Sequence, residues 1–178
     1  MHDPAHEADI FTIVSSLPLR RLATDLCEFF PGVDNYMTYI GLPFFSHLTH
    51  LDMLDDSESQ IERLSPLLIR LPVLTHLALA VLPLSSIIQR LLEGCLHLQV
   101  LVILWEAFHS RVGRTAAAEI TEHVSDPRFV MTIYHEWDEG VRLSDWDNGA
   151  STYWYRAQSF IASKRRQDIP MDCFWAED

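Results

Sequence analysis

The sequence predicts an α/β repeat fold in which each repeat supplies one parallel strand and one helix. Three segments that begin at Leu48, Leu74 and Leu98 share the pattern L-x-x-L-x-apolar, with spacings of 26 and 24 residues. A weaker copy begins at Leu19, 29 residues before the first full one. A period of about 20 to 29 residues is typical of leucine-rich repeats. We therefore expect a right-handed leucine-rich-repeat solenoid with strands on its concave face, helices on its convex face and a C-terminal capping helix.

The first predicted elements are a helix, a weak strand and a turn-rich connection. Asp3 and Pro4 suit the cap and first turn of a helix, which a run of apolar residues extends over about 4–16. The weak repeat predicts a strand at about 19–24. Aromatic and turn residues over 27–46 predict an irregular connection.

The next two repeats carry the strongest signals. A strand at about 48–54 is followed by an Asp-Asp-Ser helix start and by apolar residues at helical spacing over about 58–70. A strand at about 75–80 leads to a helix at about 84–93, for which Gly94 is the expected C-terminal cap.

The C-terminal elements follow the same alternation. A strand at about 99–105 precedes a helix at about 114–124, and a turn leads into a fifth strand at about 129–134. Acidic residues and glycines over 135–150 predict a loop, and aromatic residues at helical spacing predict the last helix at about 151–166. Strands that alternate with helices favour a parallel sheet.

Composition indicates one ordinary globular domain. The chain has 178 residues, of which 48% are apolar and 21% charged. We expect a single domain over 1–178, with repeats over 17–134 and a loop and capping helix over 135–178. The net charge of −12 argues against nucleic acid or an anionic membrane as the main partner, since both require a basic surface.

Motifs for metals, cofactors and catalysis are missing from the sequence. Cys27, Cys95 and Cys173 are far apart and form no C-x-x-C pair, which argues against a disulfide framework or zinc site. There is no glycine-rich phosphate loop, no G-x-S-x-G, no secretory signal and no apolar run of about 20 residues. We therefore expect a non-enzymatic protein without cofactor or metal, located in the cytoplasm or nucleus, whose partner is another protein.

The repeat register predicts the binding surface. Side chains alternate between the two faces of a strand, so the repeat leucines point into the core and the positions between them face the open side. Neighbouring strands place equivalent residues in one row. The candidate protein-binding residues are Arg21, His50, Asp52, His76, Ala78, Val100, Val102 and Leu104. An apolar patch at Val100 and Val102 predicts a cover, either the C-terminal segment or a partner.

Several segments resemble the C-terminal part of fungal F-box/leucine-rich-repeat-type proteins. The resemblance covers roughly residues 17–175 and is carried by five motifs: LPLRRL (17–22), LTHLD (48–52), LTHLAL (74–79), DPRFV (126–130) and WYRAQSFIASKRR (154–166). It implies a repeat domain that recognises substrates for a ubiquitin ligase, and it implies no catalytic residues. No segment resembles the F-box that family members carry before this region, so the resemblance is to a short or truncated member.

Alternatives remain open at the level of sequence. One is a small doubly wound α/β enzyme with an acidic site at the strand C-termini, near Asp55, Asp56 and Glu106; another is a gene fragment with no independent function. His50 and His76, as cross-strand neighbours, are a possible metal or titrating pair.

Other polar groups have two interpretations each. The acids from Asp52 to Glu58 suit either a cation site or a helix N-terminus, and 137–147 suits either an acidic loop or aromatic hot spots. Lys164-Arg165-Arg166 resembles a basic nuclear signal but also suits a helix C-terminus. Lys164 is the single lysine beside 12 arginines, which indicates coding bias or selection against ubiquitin acceptor amines.

Overall fold

The six strands form a parallel sheet whose order follows the chain, β1-β2-β3-β4-β5-β6. The computed structural model describes residues 11–30, 36–55, 57–106, 109–134 and 153–176. The strands are β1 (Arg21–Thr24), β2 (His50–Met53), β3 (His76–Leu79), β4 (Val100–Glu106), β5 (Phe129–Tyr134) and β6 (Trp175–Ala176). The expected α/β class and the first five strands are confirmed, and β6 is an addition.

Helices connect the strands. They are α1 (11–16), α2 (Leu26–Phe29), α3 (Glu58–Ile69), α4 (Ser85–Gly94), α5 (Ser110–Ile120) and α6 (Tyr153–Arg165), with 3-10 turns at Tyr36–Tyr39 and Pro43–Ser46. The chain divides into an N-terminal unit, residues 1–99, and a C-terminal unit, residues 100–178. Each unit is described by itself.

Repeat leucines form the core of the N-terminal unit. Leu51 in β2 and Leu77 in β3 are register partners, and both are fully buried. Leu48 and Leu74, which open these two repeats, are buried as well. The structure therefore confirms that equivalent leucines of these two repeats lie side by side, as the alternation of strand side chains predicts.

Helices α3 and α4 pack against each other and are fixed at their ends by polar groups. The Ser57 hydroxyl accepts a hydrogen bond from the Gln60 backbone, and the Gln60 side chain accepts one from the Ser57 backbone, which completes a capping box. Arg90 of α4 donates to the Ser65 hydroxyl of α3 at 2.7 Å. The expectation for Gly94 is wrong, because Gly94 is the last residue of α4 and Cys95 is the cap. Its missing side chain instead admits Ile69, whose Cγ1 would lie 2.7 Å from a Cβ at this position.

Aromatic side chains give the segment predicted as an irregular connection a core of its own. Phe30 stacks on Tyr39 with ring centroids 4.4 Å apart, and Phe44 and Phe45 are almost completely buried. Edge-to-face contacts join Phe29 to Phe30 and to Phe44. Such contacts each contribute about 0.5–1.5 kcal/mol beyond the area that they bury. The segment is therefore packed by aromatic contacts although it has little regular structure.

The C-terminal unit carries helices on both faces of its strands. A Cβ on Gly113 of α5 would lie 2.9 Å from Trp105, so α5 packs on the face to which Trp105 points. Arg156 of α6 donates to the Thr132 hydroxyl at 3.0 Å. Thr132 is the register partner of Leu104, whose side chain points away from the Trp105 face. Helix α6 therefore covers the face opposite to α5, whereas the sequence predicted helices on the convex face and a cap at the end of the stack.

Candidate interaction surface

Three polar side chains form one row across the N-terminal unit. The register pairs Arg21 with His50 and His50 with His76, so the predicted row is confirmed for these three residues. Asp52 lies two positions further along β2, between Ala23 and Ala78. We call Arg21, His50 and His76 the histidine row.

Threonines fix the orientation of both histidines. The Thr49 hydroxyl lies 3.0 Å from the backbone oxygen of Arg20 and 3.0 Å from His50 Nδ1. A carbonyl oxygen only accepts, so the single hydroxyl proton goes to it, and His50 Nδ1 must donate to the hydroxyl oxygen. The same holds in the next repeat, where the Thr75 hydroxyl donates to the Thr49 carbonyl and accepts from His76 Nδ1 at 2.8 Å. Both imidazoles are therefore held in the Nδ1–H tautomer.

The two imidazoles stack face to face. Their ring centroids are 4.0 Å apart and their planes differ by 6°. Burial lowers the pKa of each ring to about 4, and the positive charge of Arg21 contributes in both cases. Both rings are consequently neutral at physiological pH.

The stack is a poor chelating pair. The lone pair of an imidazole nitrogen lies in the plane of its ring, so in two parallel rings the lone pairs run side by side. One ion at about 2 Å from a nitrogen of each ring would lie out of both planes. This geometry disfavours the metal interpretation of His50 and His76.

Only one end of the histidine row is accessible to solvent. His76 is 5% exposed, Asp52 6% and Ala78 1%, so these three are buried. Arg21 is exposed and His50 is half-buried. Strand alternation predicts the register of Arg21, His50 and His76, but it does not predict which of them are accessible, because burial depends on contacts with distant segments. In this unit the candidate surface is therefore the part of the row formed by Arg21 and His50.

The members of the predicted surface in the C-terminal unit are covered. Val100 is 2% exposed and Val102 is fully buried, whereas Leu104 is half-buried. Helix α6 packs against β4 and β5 on this face, so the C-terminal segment supplies the cover that the sequence required. Val100 and Val102 are thus core residues of their own unit, and their assignment to an open binding face is corrected.

One acid–thiol cluster has metal-ligand residue types. The ligand atoms of Asp25, Cys27 and Asp55 lie within 4.8 Å of one another, the one such group among the residues that the structure describes. Fully buried Asp55 accepts hydrogen bonds from the backbone nitrogens of Leu26 at 3.1 Å and Cys27 at 3.0 Å. Asp25 caps the same helix by accepting from the Glu28 backbone at 2.9 Å.

The electrostatics of this cluster favour a structural function. Burial is the main cause that raises the pKa of Cys27 to about 11. The hydrogen bond between the Cys27 and Tyr36 side chains is the main cause that raises the pKa of Tyr36 to about 12. Burial also raises the pKa of Asp55. A metal requires the thiolate, and this environment disfavours it. The cluster therefore ties the end of β2 to helix α2.

The carboxylates of the alternative enzyme site have local contacts instead. Asp55 belongs to the cluster above, and Asp56 lies outside the described residues. Glu106 contacts His109 Nδ1 at 3.2 Å and accepts from the Tyr134 hydroxyl at 3.3 Å. These contacts lie within the C-terminal unit.

Two further sequence interpretations have limited support. The aromatic and acidic residues of 137–147 lie outside the described residues. Lys164 is fully buried, so it cannot contribute to an exposed basic signal with Arg165 and Arg166. Among the described residues, none of the helices has both the length and the apolar character needed to cross a membrane.

Comparisons of the chain with protein-family models, curated proteins and solved structures found no match.

Proposed function

We propose that the chain is a protein-interaction module that binds its partner through the Arg21 end of the histidine row. The register of Arg21 with His50 and His76 is the observation that carries this proposal. The threonine hydrogen bonds hold the imidazoles in one tautomer and one orientation, so little side-chain entropy remains to be lost on binding.

The repeat architecture supports the same proposal. Strand order follows the chain, and equivalent leucines of the second and third repeats are register partners. A leucine-rich-repeat solenoid has this order, and such proteins typically bind partners on their strand face. We infer that the N-terminal unit is built of leucine-rich repeats.

The charge of the row suggests an acidic partner. Arg21 is exposed and permanently cationic, and the imidazole beside it is neutral. A carboxylate of the partner would pair with the guanidinium, which offers a planar fork of donors. The partner class is therefore a protein segment that presents Asp or Glu.

The resemblance to F-box/leucine-rich-repeat-type proteins adds a proposed context. In that context the module would hold a substrate for a ubiquitin ligase, and the chain would need a second protein to reach the ligase. Co-purification of ubiquitin-ligase subunits with the tagged chain tests this part alone.

Charge reversal at Arg21 tests the binding surface. Purified wild-type and Arg21→Glu proteins are immobilised, and captured proteins are quantified by mass spectrometry. We expect proteins enriched on the wild type to fall about tenfold on Arg21→Glu, since an attractive charge pair becomes a repulsive one.

Arg20→Glu is the matched control. Arg20 is exposed, directly precedes β1, and gives the same change of charge one position away. Both variants should melt within a few degrees of the wild type by circular dichroism. If Arg21→Glu captures the same proteins in the same amounts as Arg20→Glu, the histidine row is not the binding surface.

A further inference from the structure

The single lysine of the chain is buried in the C-terminal unit. Lys164 lies in the last turn of α6 and its side chain is fully buried. A lysine is almost never buried to this extent without a partner, because removing its charge from water is costly. The contacts of the Lys164 amine therefore show what compensates for its burial.

Aromatic rings and one carbonyl enclose the amine. Nζ lies 4.0 Å from the centre of the Phe174 ring and 5.3 Å from that of Phe160. It donates a hydrogen bond to the Phe129 backbone oxygen at 3.4 Å. Cation–π contacts of a desolvated ammonium contribute about 2 kcal/mol. We call Phe129, Phe160 and Phe174 the lysine box.

Burial makes the closed box less favourable for a charged amine. It lowers the pKa of Lys164 to about 8, and the charges of Cys173, Asp126 and Asp172 only partly oppose this effect. Opening of the box lets the ammonium regain its water.

The wall formed by Phe174 belongs to the most weakly anchored segment of the box. Strand β6 follows Phe174 directly, has two residues and lies at the edge of the sheet. The Met131 backbone nitrogen donates to the Phe174 oxygen at 2.7 Å, and the Thr132 hydroxyl donates to the Ala176 oxygen at 2.9 Å. Short edge segments with few hydrogen bonds open more readily than core strands.

We propose that Lys164 is an acylation site that becomes reactive only when the segment carrying Phe174 and β6 leaves the sheet. The acyl donor is a thioester, either a small one such as acetyl-coenzyme A or the thioester of a ubiquitin-type protein. The neutral amine attacks the thioester carbonyl, the C–N bond forms, the C–S bond breaks, and the thiol leaves with the proton lost by nitrogen. The product is a neutral amide.

Acylation then holds the segment open. The amide carries no charge for the Phe174 ring, and the fully buried site has no room for an added acyl group. The modified chain would expose Phe174 and the edge of β5. Acylation of Lys164 is thus coupled to release of the segment that carries Phe174 and β6 from the sheet.

Labelling of the intact protein tests the proposal. The full chain is incubated at pH 7.5 with acetyl-coenzyme A, and in a parallel arm with a ubiquitin-charged conjugating enzyme. Acylation at Lys164 is then quantified by peptide mass spectrometry. We expect Lys164 in the folded chain to be acylated far more slowly than in a free peptide. Hydrogen exchange at the Met131 amide, which is bonded to Phe174, reports the same opening. Relative to an unstructured peptide, both rates should be reduced by the same factor.

Thr132→Val removes one anchor of β6 and also the hydrogen bond that the Thr132 hydroxyl accepts from Arg156, which keeps its bond to the Ile133 oxygen. It should raise both rates at least about fivefold, the effect of one hydrogen bond. Thr121→Val is the control. The Thr121 hydroxyl donates to the backbone oxygen of Ala118, three residues earlier in the chain, so this variant should change neither rate. Acylation in only one arm identifies the donor. The proposal is overturned if Lys164 of the native chain reacts at the free-peptide rate, if neither donor reacts, or if Thr132→Val raises Met131 exchange without raising acylation.

Discussion

Acid should destabilise the N-terminal unit through the stacked histidines. Each ring has a pKa of about 4 in the folded chain against 6.5 for the ordinary group. The folded-state pKa lies below that of the unfolded chain, so the unfolded chain binds more protons between about pH 4 and pH 6.5. The contribution of the two histidines to the free energy of unfolding therefore falls as the pH is lowered through this window, and it is constant above the window.

The size of the effect follows from burial. His76 is 5% exposed, and at pH 5 its unfolded-state pKa lies about 1.5 units above the pH, which corresponds to about 2 kcal/mol. His50 is half-buried, and solvent screening reduces its share to about 1 kcal/mol. Arg21, whose charge acts on both rings, is present in all variants compared.

Urea unfolding at pH 7 and pH 5, followed by circular dichroism, measures the effect. We expect His76→Gln to lose about 2 kcal/mol less than the wild type between these pH values, because glutamine does not titrate. His97→Gln replaces an exposed histidine of the same unit and should lose as much as the wild type. Equal losses for His76→Gln and the wild type would refute the reasoning.

Two further predictions concern the C-terminal unit, which contains all five tryptophans and is therefore followed by tryptophan fluorescence. Gly113→Ala should cost about 1–3 kcal/mol despite its better helix propensity, since the new Cβ would lie 2.5 Å from the Trp175 ring. Glu119→Ala, at an exposed position of the same helix, is the control and should cost nothing comparable, and an unchanged stability of Gly113→Ala would contradict the packing. Lys164→Met should be more stable than the wild type below pH 8, by up to about 3 kcal/mol, because the pKa of Lys164 is about 8 in the folded chain and 10.5 in the unfolded one. This advantage should vanish as the pH rises from 8 to 10.5, where the unfolded chain also loses its proton. A difference independent of pH would contradict the burial of a charged amine.

The sequence predicted those features that depend on local periodicity. The L-x-x-L-x pattern predicted β2 and β3 and the pairing of Leu51 with Leu77, because strand alternation fixes which side chains enter the core. Helix α3 agreed within a residue of its expected end, since a polar start and an apolar spacing marked it. The same alternation placed His50 beside His76.

Features that depend on distant contacts were not predictable in this way. From sequence, Lys164 suits a basic helix C-terminus or a nuclear signal. Its burial involves Phe129 and Phe174, which belong to other segments. Helix α5 begins four residues before its expected start and contains Gly113. In the folded chain its missing side chain is what admits the Trp175 ring.

The histidine row carries a cost in stability at acid pH that an apolar residue would not. A leucine at position 76 would fill the same buried place without the acid-dependent cost, whereas the imidazole needs a threonine before it to fix its proton. The chain uses this Thr-His pair in two successive repeats and replaces it with Gln99-Val100 in the next. Gln99 keeps only the backbone hydrogen bond to Thr75, and Val100 is buried. Within the N-terminal unit the accessible end of the row is at Arg21, which is where the proposed partner would bind.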